Sequence, residues 1–294
     1  MSPAPRPRKP ETNRKGWGSV ARHGAREVAP EPPPPGTGRP RRREQESREQ
    51  GPPPAWEAEQ WHEHAQTAPV RRQATKAVAR GGGRPRTRSP KAVTQELAGA
   101  VGERQAAAAA RRFGDAVRAF ERERYADVTR LLRPLADRAP RVAAVRELLG
   151  LAFYRQGKWS EAARHLEVFR TLTRAYDEHP VLADSYRALG QWDEVADLWE
   201  ELRAASPGAE IVTEGRIVAA GALADQGEVR AAIRLLRKGA EPARPKWFHL
   251  RLWYSLADLY ERAGEVPRAR ELFARILERD PSFVDVVERI EALE

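Results

Sequence analysis

The feature that most constrains this chain is a glycine that returns at near-constant spacing through its C-terminal two-thirds. Gly157, Gly190, Gly227 and Gly264 stand 33, 37 and 37 residues apart, and the series extended backwards lands on Glu123, 34 residues before Gly157. A glycine that ends one helix and turns the chain into the next closes a helical hairpin. Around these positions apolar residues recur at spacings of three and four, the helical period, and no run alternates as a strand does. The pattern predicts an all-α array over residues 94–294. Repeats are expected at about 109–142, 143–175, 176–208, 213–246 and 250–283, with a covering helix over 284–294.

The last repeat carries the fullest signature. Trp253, Leu256, Ala257 and Tyr260 read W-x-x-L-A-x-x-Y, followed by Ala269 nine residues on, Phe273 four later and Pro281 eight later. Leu256, Ala257 and Tyr260 fall on one face of a first helix, Ala269 and Phe273 on the facing side of a second. The small alanines let the two axes approach, and Pro281 blocks continuation of the second helix. These residues resemble the tetratricopeptide repeat (TPR) at every signature position. The same grammar recurs upstream in Leu149, Gly150, Phe153, Trp159, Ala162 and Leu166, then in Leu182, Ala183, Tyr186, Trp192, Val195, Trp199 and Pro207. Ala220, Leu223, Val229, Ala232 and Leu236 form a weaker copy, and Ala116, Phe120, Tyr125, Val128, Leu132 and Pro140 a degenerate first one. The longer spacings place extra residues in the turns near Pro207-Gly208 and Pro242 to Pro245. Phe283, Val286, Val287 and Ile290 are expected to face the last hairpin as a cap, and Thr94 to Gln105 to close the other end. The resemblance implies a right-handed solenoid that binds other proteins. The stretch from Val145 to Leu202 is similar to uncharacterised actinobacterial TPR proteins with an Arg-rich, disordered N-terminus.

Charge is distributed unevenly. Residues 1–93 hold 20 Lys+Arg against 9 Asp+Glu, net +11, which leaves 32 and 33 for the rest, net −1. The same segment carries 16 of the 24 prolines and few aliphatic residues, so it cannot bury enough apolar area to offset the entropy of ordering. A disordered basic tail is expected, with clusters at Arg39, Arg41, Arg42 and Arg43 and at Arg84, Arg86 and Arg88. Trp17, Trp56 and Trp61 are isolated aromatics within it. Two readings of the basicity stand side by side. One is an arm for nucleic acid, an anionic membrane or an acidic protein. The other is compositional drift, since 45 basic residues are Arg and 7 Lys, with a single Asn, as a GC-rich genome produces.

Several chemistries find no support. The absence of cysteine excludes disulfides, thiolate metal sites and Cys nucleophiles. No signal peptide or run of about 18 apolar residues is visible, so a soluble cytoplasmic protein is expected. His62-Glu63-His64 is not a metalloprotease motif, because residues two apart project to different helix faces. His165 and His179 are expected on helix surfaces. No phosphate loop and no catalytic constellation can be assembled, so the chain reads as a non-enzyme without cofactor or metal, and no small-molecule substrate is expected.

In TPR folds the first helix of each pair lines a concave groove. Its inward positions map here to Glu147, Tyr154 and Arg155, then Asp177, Asp184 and Arg187, then Glu214 and Asp225. Arg251, Tyr254, Asp258, Glu261 and Arg262 complete the set. TPR co-chaperones grip a C-terminal carboxylate with Lys and Asn at two of these positions. Glu147 and Asp184 stand in equivalent places and would repel it. The mixed, slightly acidic groove suits a basic or amphipathic segment, and the chain's own arm is one such segment.

Overall fold

The computed structural model describes residues 90–293, and all regular structure among them is helical. In chain order the helices are α1 (Pro90–Val101), α2 (Glu103–Glu121), α3 (Tyr125–Arg138), α4 (Ala143–Arg155), α5 (Trp159–Thr173) and α6 (His179–Ala188). They continue with α7 (Trp192–Ala205), α8 (Ala209–Asp225), α9 (Val229–Arg237), α10 (Trp247–Arg262), α11 (Val266–Leu277) and α12 (Val286–Glu291). The tail expected over 1–93, with its arginines 39 to 43 and 84 to 88 and its three tryptophans, lies outside the described residues except for 90–93, which open α1.

Five turns join α2 to α3, α4 to α5, α6 to α7, α8 to α9 and α10 to α11, and all are built alike. One residue in each takes left-handed backbone: Glu123 (φ 58), Gly157 (72), Gly190 (73), Gly227 (86) and Gly264 (75). Its N–H donates three residues back, and the next N–H donates five back. Gly264 N reaches Glu261 O at 3.0 Å and Glu265 N reaches Tyr260 O at 2.8 Å. These bonds satisfy the last carbonyls of the first helix. Glu123 and Arg124 make the same pair, to Phe120 O and Ala119 O, both at 2.9 Å. The first turn is therefore the same object with a strained residue in the glycine's place.

Between the helices, small residues set the approach and large ones fill it. A Cβ on Gly150 would come within 2.6 Å of the Leu166 side chain, so α4 and α5 touch there only because the residue is glycine. Ala257 and Ala269 are fully buried between α10 and α11, with Leu256, Phe273 and Trp253 packed around them. The Trp253 indole N–H donates to Ala240 O at 2.6 Å, which satisfies the polar edge of that buried ring. The core is distributed along the array in successive clusters rather than gathered at one centre, as stacked repeats require.

Each helix packs on the next. The first helices of successive hairpins, α2, α4, α6, α8 and α10, also lie side by side. That closer row makes the first-helix face the inner side of the curve. α1 packs on α2 at one end and α12 on α11 at the other. The extra residues of the fourth repeat depart from the sequence expectation, and those of the fifth lie near Pro242 to Pro245 as expected. Those of the fourth repeat lengthen a helix, α8 having 17 residues against 10 in α6. Those of the fifth form the segment 238–246 between α9 and α10. In α12, Val286 is buried but Val287 is 40% exposed, because Val286 and Ile290, four apart, define the inward stripe and Val287 is turned away from it.

Inner face and the polar joints that span it

The inward residues of α4, α6, α8 and α10 are largely engaged with one another across repeat boundaries. The Tyr154 hydroxyl on α4 donates to Asp184 Oδ2 on α6 at 2.6 Å. Arg187, one turn further along α6, donates from Nε to Asp184 Oδ1 at 2.8 Å and from Nη1 to Asp225 Oδ2 on α8 at 3.2 Å. Three consecutive repeats are joined by this chain of four side chains. Asp184 and Arg187 are both buried. Burial pulls the guanidinium's pKa down, but Asp184 and Asp225 outweigh it and raise it, so the group stays charged. Burial, and then the Asp184 charge, push the Tyr154 hydroxyl well above its ordinary value and keep it a donor. Gly221 on α8 makes room for the joint, since a Cβ there would meet Arg187 Nη1 at 2.7 Å.

The next boundary repeats the device with other residues. Arg251 on α10 meets Glu214 Oε2 on α8 at 2.7 Å, both nearly out of solvent. Glu214 Oε1 is buried without a hydrogen bond, and burial raises this carboxyl even with Arg251 opposing the shift. Arg262 Nη2 donates to Ala224 O at 3.3 Å. At the last boundary the Tyr254 hydroxyl donates to Asp285 Oδ1 at 2.7 Å. Arg289 of α12 reaches back to Asp258 Oδ1 at 3.1 Å and Glu261 Oε2 at 2.5 Å. Its guanidinium lies over the Phe273 and Tyr254 rings, 4.9 and 5.7 Å from their centroids.

Of the thirteen groove residues expected from sequence, these joints engage ten: Tyr154, Asp184, Arg187, Glu214, Asp225, Arg251, Tyr254, Asp258, Glu261 and Arg262. Glu147 is buried within α4, and Arg155 and Asp177 are half-buried. Sequence reasoning missed Arg289, whose signal was its place one helical turn from Asp285 in the cap. It also passed over the inner face of the first repeat. There Phe113, Val117 and Phe120 on α2 are half-buried, and Phe120 also packs along the row of first helices near Leu151 and Tyr154. Their spacing of four and three was the available signal.

His165 and His179 are buried, not on the surface as expected. His165 stacks on Phe153, with centroids 5.4 Å apart, and its Nδ1 lies 3.2 Å from Arg146 Nη1. Burial, then the Arg164 and Arg146 charges, lower its pKa to about 4. His179 is lowered by burial while Glu201, 3.3 Å away, opposes the shift. Both sit where the sequence pattern reads a polar position on an amphipathic helix, but the other helix of the same hairpin reaches them, α4 through Phe153 and Arg146 and α7 through Glu201. Among the described residues no cluster of His, Asp and Glu has metal-binding geometry, and no helix is long and apolar enough to cross a membrane.

Comparison with known proteins agrees with this architecture. Residues 250–290 match the family model described as tetratricopeptide repeat. No curated protein matches the chain. Among solved structures, a thermophilic TPR protein of Thermus thermophilus is similar at 18% identity and a TM-score of 0.49, over 63% of this chain and 98% of that one. That likeness is too slight to argue from. Residues 250–290 thus match a tetratricopeptide repeat, and the four hairpins before them share its turn.

Proposed function

We propose that the chain is a non-catalytic, cytoplasmic scaffold that binds a protein or peptide along its inner face, with the basic tail as tether or regulator. The observation that carries this is the division of labour along the row of first helices. From Tyr154 onward the inward polar side chains are engaged in joints between repeats, which favours a stiff and preorganised array. On α2, Phe113, Val117 and Phe120 remain half-buried with no joint to make. An apolar strip on a rigid concave face suits an amphipathic helix or extended segment that supplies large apolar anchors. The tail is a candidate competitor for the same face, as a flexible linker of a few tens of residues spans the array at about 5–6 Å × √n.

The test is selection of peptides from a random library on the full-length protein, followed by affinity measurement on Phe113→Ala/Val117→Ala. At least tenfold weaker binding is expected, since two truncated anchors of about 1–2 kcal/mol each convert to that factor. Selected peptides that bind wild type and variant equally place the site elsewhere and overturn the reading.

A further inference from the structure

Part of the outer surface of the array is charge-matched within single helices. Arg118 pairs with Asp115, Arg130 with Asp127, Arg203 with Glu200 and Arg268 with Glu265, each three residues apart. Exposed cations without an ion pair also stand elsewhere, as at Arg111 and Arg112, but α9 and the segment after it gather six of them. Arg230, Arg234, Arg237, Lys238, Arg244 and Lys246 are all exposed and none is in an ion pair. The lone carboxylate between Val229 and Trp247, Glu241, is turned to Arg275 of α11 at 2.8 Å. The acidic helix α7, with Asp193, Glu194 and Asp197 exposed, sends no ion pair to these cations.

The arrangement on α9 is ordered. Ala232, Ile233 and Leu236 are buried, and Arg230, Arg234 and Arg237 form one outward stripe at spacings of four and three. Seven residues of helix advance about 10 Å at ~1.5 Å each. A stacked nucleic-acid strand covers that length with about three phosphates at ~3.4 Å each. Trp247 opens α10, which packs against α9, and is 42% exposed with its ring edge-on to Phe248 at 5.9 Å. Arginines on a repeating interval, with an open indole at the start of the helix packed on them, are the chemistry of single-strand recognition, in which guanidinium groups track phosphates and an aromatic face takes a base. An acidic peptide would use the cations and leave the indole idle.

We propose that α9 and residues 238–247 form a second binding surface, for single-stranded nucleic acid. Arg230, Arg234 and Arg237 take successive phosphates and Trp247 stacks on a base. This surface lies on a second helix and is separate from the inner face.

The test is binding of a fluorescent single-stranded oligonucleotide to the full-length protein over a range of salt concentrations. For Arg230→Gln/Arg234→Gln/Arg237→Gln the slope of log K against log salt should become shallower by about 2, three contacts at ~0.7 each. Arg130→Gln/Arg203→Gln/Arg268→Gln removes the same charge from matched pairs elsewhere and should leave the slope within about 0.5 of wild type. Trp247→Ala should weaken single-strand binding at least about fivefold and leave duplex binding unchanged. Equal loss of slope in both triple variants, or no loss in either, overturns the proposal, since diffuse charge or the basic tail then accounts for binding. A polyglutamate peptide that binds wild type as tightly as the oligonucleotide, with Trp247→Ala neutral in both assays, also overturns it and makes the surface a dock for acidic proteins.

Discussion

Replacing Arg187 by Met keeps most of the apolar stem and deletes the guanidinium that holds three repeats together. Asp184, 6% exposed, then keeps the Tyr154 hydroxyl at 2.6 Å but loses its compensating charge. Removing one member of a buried ion pair costs about 3–5 kcal/mol. The retained tyrosine bond, and the 20% exposure of the Asp225 side chain, place this case at the low end, about 3 kcal/mol. Asp184→Leu/Arg187→Met removes both buried charges together and should cost about 1–2 kcal/mol, less than either single change. Urea unfolding at pH 7 followed by circular dichroism measures the whole cycle. Arrays couple through nearest-neighbour interfaces, so a weakened boundary between α6 and α8 should also split one transition into two. A cost below ~1 kcal/mol for Arg187→Met, together with additive single changes, would refute the view that this side chain joins repeats.

Other positions yield separate expectations. Gly227→Ala and Gly264→Ala meet no neighbouring atom, so each should report backbone strain alone and lower stability by about 1 kcal/mol in the same urea assay. Glu123→Gly should do the reverse, gaining about 0.5–1 kcal/mol. His165 titrates at about 4 in the fold and near 6.5 when unfolded, so the unfolded chain takes up the proton first. Its contribution is complete above ~6.5 and declines as the pH falls toward 4, by at most about 3 kcal/mol. Stability-against-pH curves for wild type and His165→Gln should converge across that window, and parallel curves would remove His165 as the cause. Arg289→Met should remove the guanidinium from the Asp258 and Glu261 carboxylates and loosen α12. Hydrogen exchange should quicken at residues 286–291 by tenfold or more while α4 and α5 are unchanged.

The hairpins were legible because each needs a residue that the chain shows directly. A turn into the left-handed region selects glycine at 157, 190, 227 and 264, and close helix contact selects Ala257, Ala269 and Gly150. Glu123 kept its place in the series only through spacing, yet the structure gives it the same backbone as the glycines. The inward positions were legible too, as a row of tyrosines and charged residues on first helices. Their partners were not. Tyr154 and Asp184 are 30 residues apart, and Arg187 and Asp225 are 38 apart. Which pairs meet depends on the rotation from one hairpin to the next, and helical periodicity within a repeat carries no record of that rotation. The same blindness put His165 and His179 on the surface, since each is covered by elements outside its own helix. It also hid which cations are paired, as Arg203, Arg268 and Arg275 are with their carboxylates and those of α9 are not.

The insertion of Arg289 against α10 gives the array a polarity of growth. At an interior boundary the inward carboxylates of one repeat are met by the first helix of the next, as Glu214 is by Arg251. At α10 that role is taken by a six-residue helix that offers Arg289 and Asp285 and little further surface to build on. Another hairpin laid on α10 must first displace α12 and then supply a cation for Asp258 and Glu261. A hairpin inserted between α4 and α9 has no such cap to displace. Lengthening this protein, by design or by descent, is therefore an operation on its middle.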